Sequence, residues 1–198
     1  MQEFFSKPHR EIQSWFDGQR VADKLFERRV SDALAVYQSE FIKQSMFFFI
    51  ASSIDECIDC SIKCGPPGFV EVIDDKTICW PDYDGNLMFR TLGNISSNPN
   101  VSLLFVNFQN PSEVNSPGMI GKIRLNGKAN LCEPTSNMLK LGVKLSVKFN
   151  IEFVIPNCPR YLPDLSLVRQ SKFNPKEGEL PPTPEWKTRD YIRDILPK

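Results

Sequence analysis

Two stretches of this chain carry side chains able to grip an anion. In Cys60-Ser61-Ile62-Lys63-Cys64 a strand places Cys60, Ile62 and Cys64 on one face and Ser61 and Lys63 on the other. A hydroxyl beside an ammonium can hold a phosphate, although a plain solvated strand face shows the same pattern. The second stretch runs Trp80-Pro81-Asp82-Tyr83-Asp84-Gly85-Asn86-Leu87-Met88-Phe89-Arg90-Thr91. It reads as a loop feeding a helix whose first turn holds Arg90 and Thr91. Backbone N–H groups at a helix start attract anions, and Arg adds a planar fork of donors. An Arg at a helix start is also common surface decoration.

Other chemistry is less well supported. Cys57-x-x-Cys60-x-x-x-Cys64 invites a zinc reading. An extended strand separates Cys60 from Cys64 by about 13 Å, too far to share one ion, so these thiols are expected to be small buried apolar groups and no metal is expected. The only histidine is His9, which argues against His-based catalysis and against haem held by an axial His. Gly65-Pro66-Pro67-Gly68 cannot be an ordinary ladder strand, because its prolines lack N–H donors. It reads as a tight turn or as a backbone shelf for a flat ligand.

These groups must be positioned by mostly extended chain. Residues 1–16, interrupted by Pro8, read as an arm. Apolar positions from Val21 to Tyr37 recur at helical spacing, predicting one helix over about 19–37 and a second, short one from Ser39. Strands are predicted at 47–52, 60–64, 70–73, 77–80, 101–108, 122–131 and 146–155, with a hairpin turn at Asp74-Asp75-Lys76. Short helices are predicted at 91–97, stopped by Asn98-Pro99, and at 136–144. About six barrel strands with a few helices and no βαβ alternation predict an α+β, mostly β, antiparallel barrel.

The composition sets limits. The 198 residues contain 24 Lys+Arg and 24 Asp+Glu, so the net charge is zero. A nucleic-acid or anionic-membrane partner needs an excess of basic charge and is not expected. The longest apolar run, 46–51, is far shorter than the roughly 20 residues of a membrane span. Six cysteines and an N-terminal stretch without an apolar signal core lead us to expect a cytoplasmic protein with reduced thiols. No Gly-rich Rossmann or Walker pattern is present.

One combination of motifs is more telling. Phe47-Phe48-Phe49-Ile50-Ala51-Ser52, Ser61-Ile62-Lys63-Cys64-Gly65-Pro66-Pro67-Gly68-Phe69-Val70, Asp82-Tyr83-Asp84-Gly85-Asn86, Phe89-Arg90-Thr91-Leu92-Gly93-Asn94-Ile95, Asn98-Pro99 and Leu103-Leu104-Phe105 occur in this order. Further matches lie at 15–20, 124–129 and 156–161. The whole resembles the pyridoxamine 5'-phosphate oxidase-like family of FMN-binding split barrels, in its broad branch of chains of about 200 residues. The resemblance implies a six-stranded antiparallel split barrel with flanking helices, homodimeric, with FMN at the subunit interface. It divides the chain into N-terminal arm and helices (1–45), an FMN-binding barrel (46–160) and a Pro-rich C-terminal extension (161–198).

The same resemblance implies that Arg90 and Thr91 hold the FMN phosphate and that Ser61 and Lys63 lie on the flavin-facing strand. It places Pro81, Asp82 and Asn86 beside the ring and ribityl chain, and adds Arg160. Lys63 or Arg124 would supply positive charge to the reduced flavin. The oxidase proper carries Arg-Lys where this chain has Arg90-Thr91, and its C-terminal Trp-Arg signature is only echoed by Trp186-Lys187-Thr188-Arg189. The function expected is therefore an FMN-dependent oxidoreductase of unassigned small-molecule substrate. The alternatives are a non-catalytic flavin-binding or stress-response protein and a deazaflavin-dependent reductase on the same fold.

Overall fold

The apolar-alternating segments pair into one antiparallel sheet. The computed structural model describes residues 4–83, 85–108, 120–157, 162, 165 and 176–179. The sheet has seven strands: β1 (Phe47–Ile54), β2 (Cys57–Cys64), β3 (Glu71–Asp74), β4 (Thr77–Pro81), β5 (Asn100–Val106), β6 (Lys122–Cys132) and β7 (Ser146–Asn157). Their order is β2-β1-β5-β6-β7-β4-β3, every pair antiparallel. The resemblance implies six strands and the sheet has seven; β3 and β4 form the hairpin expected at Asp74-Asp75-Lys76, at the edge opposite β2. Each turn has a local cause. Asp55 adopts φ 48° between β1 and β2, a conformation that Asp tolerates better than most residues. Asp74 Oδ1 accepts the Lys76 N–H at 2.8 Å between β3 and β4.

The helices correct the sequence reading more than the strands do. They are α1 (Lys7–Trp15), α2 (Gln19–Arg29), α3 (Val36–Gln44), α4 (Arg90–Ser97) and α5 (Ser136–Lys140). Pro8 does not break the arm; it sits in the first turn of α1, where a missing N–H costs nothing. His9 Nδ1 reaches back to accept the Ser6 N–H at 3.1 Å. The helix expected over 19–37 is divided. Val30 turns extended, Ser31 pairs with Val154, and the Leu34 N–H bonds the Asp75 carbonyl at 2.7 Å. Helix α3 begins at Val36, with Ala35 rather than Ser39 at its N-cap and Gln38 Oε1 accepting the Ala35 N–H at 2.9 Å. The stripe of α2 is real but faces outward, and no residue of α1 or α2 is buried.

The core lies on one face of the sheet, where Phe48, Ile50, Leu103, Phe105, Ile123, Leu125, Val147 and Phe149 are fully buried with Ile42 of α3. Trp80 and Phe48 meet at 5.1 Å, and Phe48 stacks on Phe69 at 6.0 Å and on Phe105 at 5.0 Å. Gly65-Pro66-Pro67-Gly68 serves this core as a turn. The Gly65 N–H bonds the Met46 carbonyl, Gly68 adopts φ 87°, and a Cβ on Gly65 would lie 2.4 Å from the Phe69 ring. None of residues 65–69 lines either groove described below, so the shelf reading has no support.

The long strands β6 and β7 slip register between Asn126 and Gly127. A Cβ at Gly127 would stand 2.1 Å from the Asn150 carbonyl oxygen, which belongs to backbone and cannot rotate away. Gly127→Ala is therefore expected to cost about 1–3 kcal/mol. Urea unfolding of the variant checks it, and an unchanged midpoint would contradict the close approach.

Candidate functional site

Alternation along β2 gathers the polar residues of one face. Asp59, Ser61 and Lys63 pair with Ser52, Ile50 and Phe48 of β1 and so share the core side of the sheet. They rim the core where β2 forms an open edge. The opposite face carries Ile58, Cys60, Ile62 and Cys64, and it is the exposed one, with Ile58 78% and Ile62 51% accessible. Cys60 and Cys64 are thus not buried apolar thiols. Among the described residues no group of three or more metal-ligating side chains is gathered.

Helix α4 lies over the same end of the sheet. Asn94 Nδ2 donates to Ser52 Oγ at 3.1 Å and Asn98 Nδ2 to Ser53 Oγ at 3.2 Å. These bonds fix α4 against β1, and its first residues, Arg90 and Thr91, consequently stand over β2. The approach to α4 is strained. Leu87 and Phe89 both have positive φ, 62° and 48°, which costs a non-glycine residue about 1–2 kcal/mol each. Such strain collects at ligand sites. Asn86 Oδ1 accepts the Met88 N–H at 3.0 Å and shapes the same loop.

A cleft of about 280 Å³ opens between these parts. Ser61, Lys63, Asp82, Asn86, Arg90 and Thr91 all line it. Pro81 does not; it is buried at the end of β4, paired with Ser146. Arg124 projects instead into a second groove of about 960 Å³, between the N-terminal segment and the other face of the sheet. Arg160 lies outside the described residues. The sequence reading missed Asp59. Its Oδ2 accepts the Thr91 hydroxyl at 3.1 Å and its Oδ1 the Arg90 Nε–H at 3.4 Å. A strand beginning at Cys60 excludes Asp59, whereas β2 begins at Cys57. The signal was present as Asp59-x-Ser61-x-Lys63.

The cleft wall also includes Tyr83, whose hydroxyl is buried without a hydrogen-bond partner among the described residues and whose pKa burial pushes up to about 12. It is a neutral group at physiological pH. Farther off, burial raises the Cys79 thiol to about 11, with Ser146 Oγ at 3.7 Å. A thiol so protonated is a poor nucleophile, and Cys79 does not line the cleft.

Residues 38–155 match the family profile described as pyridoxamine 5'-phosphate oxidase. The chain belongs to the pyridoxamine 5'-phosphate oxidase family. The match spans α3 through nearly all of β7 and includes every candidate site residue except Arg160. No curated protein matches the chain. Among solved structures, it is similar to a proposed pyridoxamine 5'-phosphate oxidase from Lactobacillus delbrueckii, at 17% identity and a TM-score of 0.45, covering 63% of this chain and 95% of that one. It is similar to an FMN-binding protein from Syntrophomonas wolfei at 14% identity and a TM-score of 0.40, covering 83% and 100%. It is also similar to HupZ of Group A Streptococcus at 13% identity and a TM-score of 0.45, covering 67% and 99%. Membership of the oxidase family rests on the profile match. Within it, this chain presents Arg90, Thr91, Ser61 and Lys63 as a donor set suited to a phosphate, with a carboxylate already seated on two of the four.

Proposed function

We propose that this chain binds flavin mononucleotide in the cleft between β2 and α4 and acts as an oxidoreductase on a small molecule. The observation that carries the reading is the convergence of Arg90, Thr91, Ser61 and Lys63 on one cleft, with an anionic group, the Asp59 carboxylate, held by the first two. A guanidinium, two hydroxyls and an ammonium suit a phosphate dianion. When bound, the flavin supplies the hydride chemistry, so the protein needs no histidine or reactive thiol. Its own residues anchor the phosphate, and Lys63, on the strand beside the cleft, favours negative charge on the ring edge.

We further propose that two copies complete the site. One protomer offers only about 280 Å³, at the low end for a ligand of this size. The outward face of β2 is apolar, with Ile58, Cys60 and Ile62 exposed on an unpaired edge strand, and such patches mark association surfaces. Among the described residues no helix is long and apolar enough to cross a membrane. The six cysteines fit a reducing compartment, which we take to be the cytosol.

Purified protein is expected to carry, or take up, a ligand with flavin bands near about 375 and 450 nm and the mass of FMN. It is expected to sediment at twice the monomer mass. Oxidation of a nicotinamide donor faster than with free FMN would establish turnover. A colourless protein that takes up no added flavin would overturn the reading.

A further inference from the structure

The carboxylate of Asp59 sits where the proposed function puts the ligand's phosphate. It uses one oxygen on Thr91 and the other on Arg90. Its side chain is 18% exposed, against 60% for Arg90, so the acid is the inner partner and the guanidinium lies over it. Among the described residues Asp59 is the only partner of the Arg90 guanidinium. Among them, too, the charges lining the cleft balance, with Lys63 and Arg90 against Asp59 and Asp82. A phosphate entering as a dianion meets a site of no net charge whose Arg90 is already paired with a carboxylate, and like charges a few ångströms apart disfavour each other.

We propose that Asp59 is an intramolecular competitor for the ligand's phosphate and sets how much that phosphate contributes to binding. In the ligand-free protein its carboxylate holds Arg90 and Thr91 in place. An anionic ligand binds only as this carboxylate gives up both contacts, whereas a ligand without phosphate leaves them intact. The site thereby discriminates less sharply between phosphorylated and unphosphorylated ligands of one ring system than it would without the Asp59 carboxylate. Asp59 is a specificity-determining residue with no step of its own in catalysis. The inference rests on the flavin reading for the identity of the ring, but its chemistry concerns the anion alone.

Asp59→Asn keeps the size of the side chain and an oxygen for Thr91 while removing the charge. Titration of wild type and variant with FMN and with riboflavin, followed by quenching of flavin fluorescence, is the test. Inorganic phosphate binding, measured by calorimetry, is a parallel arm. Asp59→Asn is expected to tighten FMN by about tenfold or more, to leave riboflavin within about threefold, and to bind inorganic phosphate more tightly than wild type. Asp59→Glu, which keeps the charge, is expected to give no such gain. If Asp59→Asn weakens FMN and phosphate together, the carboxylate only orients Arg90 and the proposal fails. If the ratio of FMN to riboflavin affinity and the phosphate affinity are both unchanged, it fails as well. If neither flavin binds either protein while the variant alone gains phosphate affinity, the flavin reading falls and the competitor stands. Thermal melts of each variant establish that the fold is intact.

Discussion

Trp80→Ala is expected to lower the stability of the fold by about 3–5 kcal/mol, the usual cost of deleting a large buried aromatic. Trp80 is 1% exposed and lies between Phe48, at 5.1 Å edge-on, and Phe149, at 6.3 Å. These rings come from β4, β1 and β7, so one side chain ties the hairpin edge of the sheet to its middle. Truncation leaves a cavity walled by strands that are hydrogen-bonded on both sides and cannot collapse inward. For a chain of this size the melting temperature is expected to fall by roughly 6–20 °C. Urea unfolding with near-ultraviolet circular dichroism would check it. The effect also reaches the site: Trp80 is followed by Pro81 and Asp82, and the Asp82 N–H bonds the Leu145 carbonyl at 2.9 Å. The cleft loop therefore hangs from a strand whose anchor has been removed, and ligand affinity is expected to fall with stability. A loss below about 1 kcal/mol would show that the aromatic cluster is loosely packed.

Much of this was legible in the chain because strand signals are local. Asp74-Asp75-Lys76 between two apolar runs marked the β3–β4 hairpin, and alternation marked β6. The end of α4 was fixed by Asn98-Pro99, since the residue before proline avoids helical geometry. The failures have a common cause. Periodicity identifies the faces of an element but does not say which face is covered. On α2 the apolar stripe points outward, and on β2 the apolar alternates Ile58, Cys60 and Ile62 are exposed while the polar ones line the cleft. The break at Val30–Leu34 was invisible for another reason. It is imposed by bonds to Val154 and Asp75, residues far away in sequence. Arg90, Thr91, Ser61 and Lys63 each stand in a recognisable local pattern, and the structure brings them to one cleft. Asp59 was lost because its role depends on a helix that starts 31 residues later.

That pairing gives Arg90→Ala its expected outcome. A charged hydrogen-bond donor removed from a phosphate costs about 2–3 kcal/mol, or roughly 30- to 150-fold in FMN affinity. Riboflavin, which lacks the phosphate, is expected to change by less than about threefold, because Arg90 is an exposed side chain at the rim and forms no part of the core. Arg90→Lys is expected to recover only part of the loss, since an ammonium offers a point charge where the guanidinium offers a fork. The background matters to the size of the effect. Arg90 is held by Asp59, and on the competitor proposal the wild-type guanidinium must leave that carboxylate to meet the phosphate, so part of its binding energy is expected to offset the contact it breaks. Repeated on Asp59→Asn, the same truncation is expected to cost more, because no prior charged partner is lost. The two titrations form a double-mutant cycle. A coupling of about 1 kcal/mol or more in that direction means that both residues act on one anion. Equal losses in both backgrounds would keep Arg90 on the phosphate and remove Asp59 from the competition, whereas no loss in either would place the phosphate away from Arg90 and leave Lys63 and Ser61, farther along β2, as the side chains that hold it.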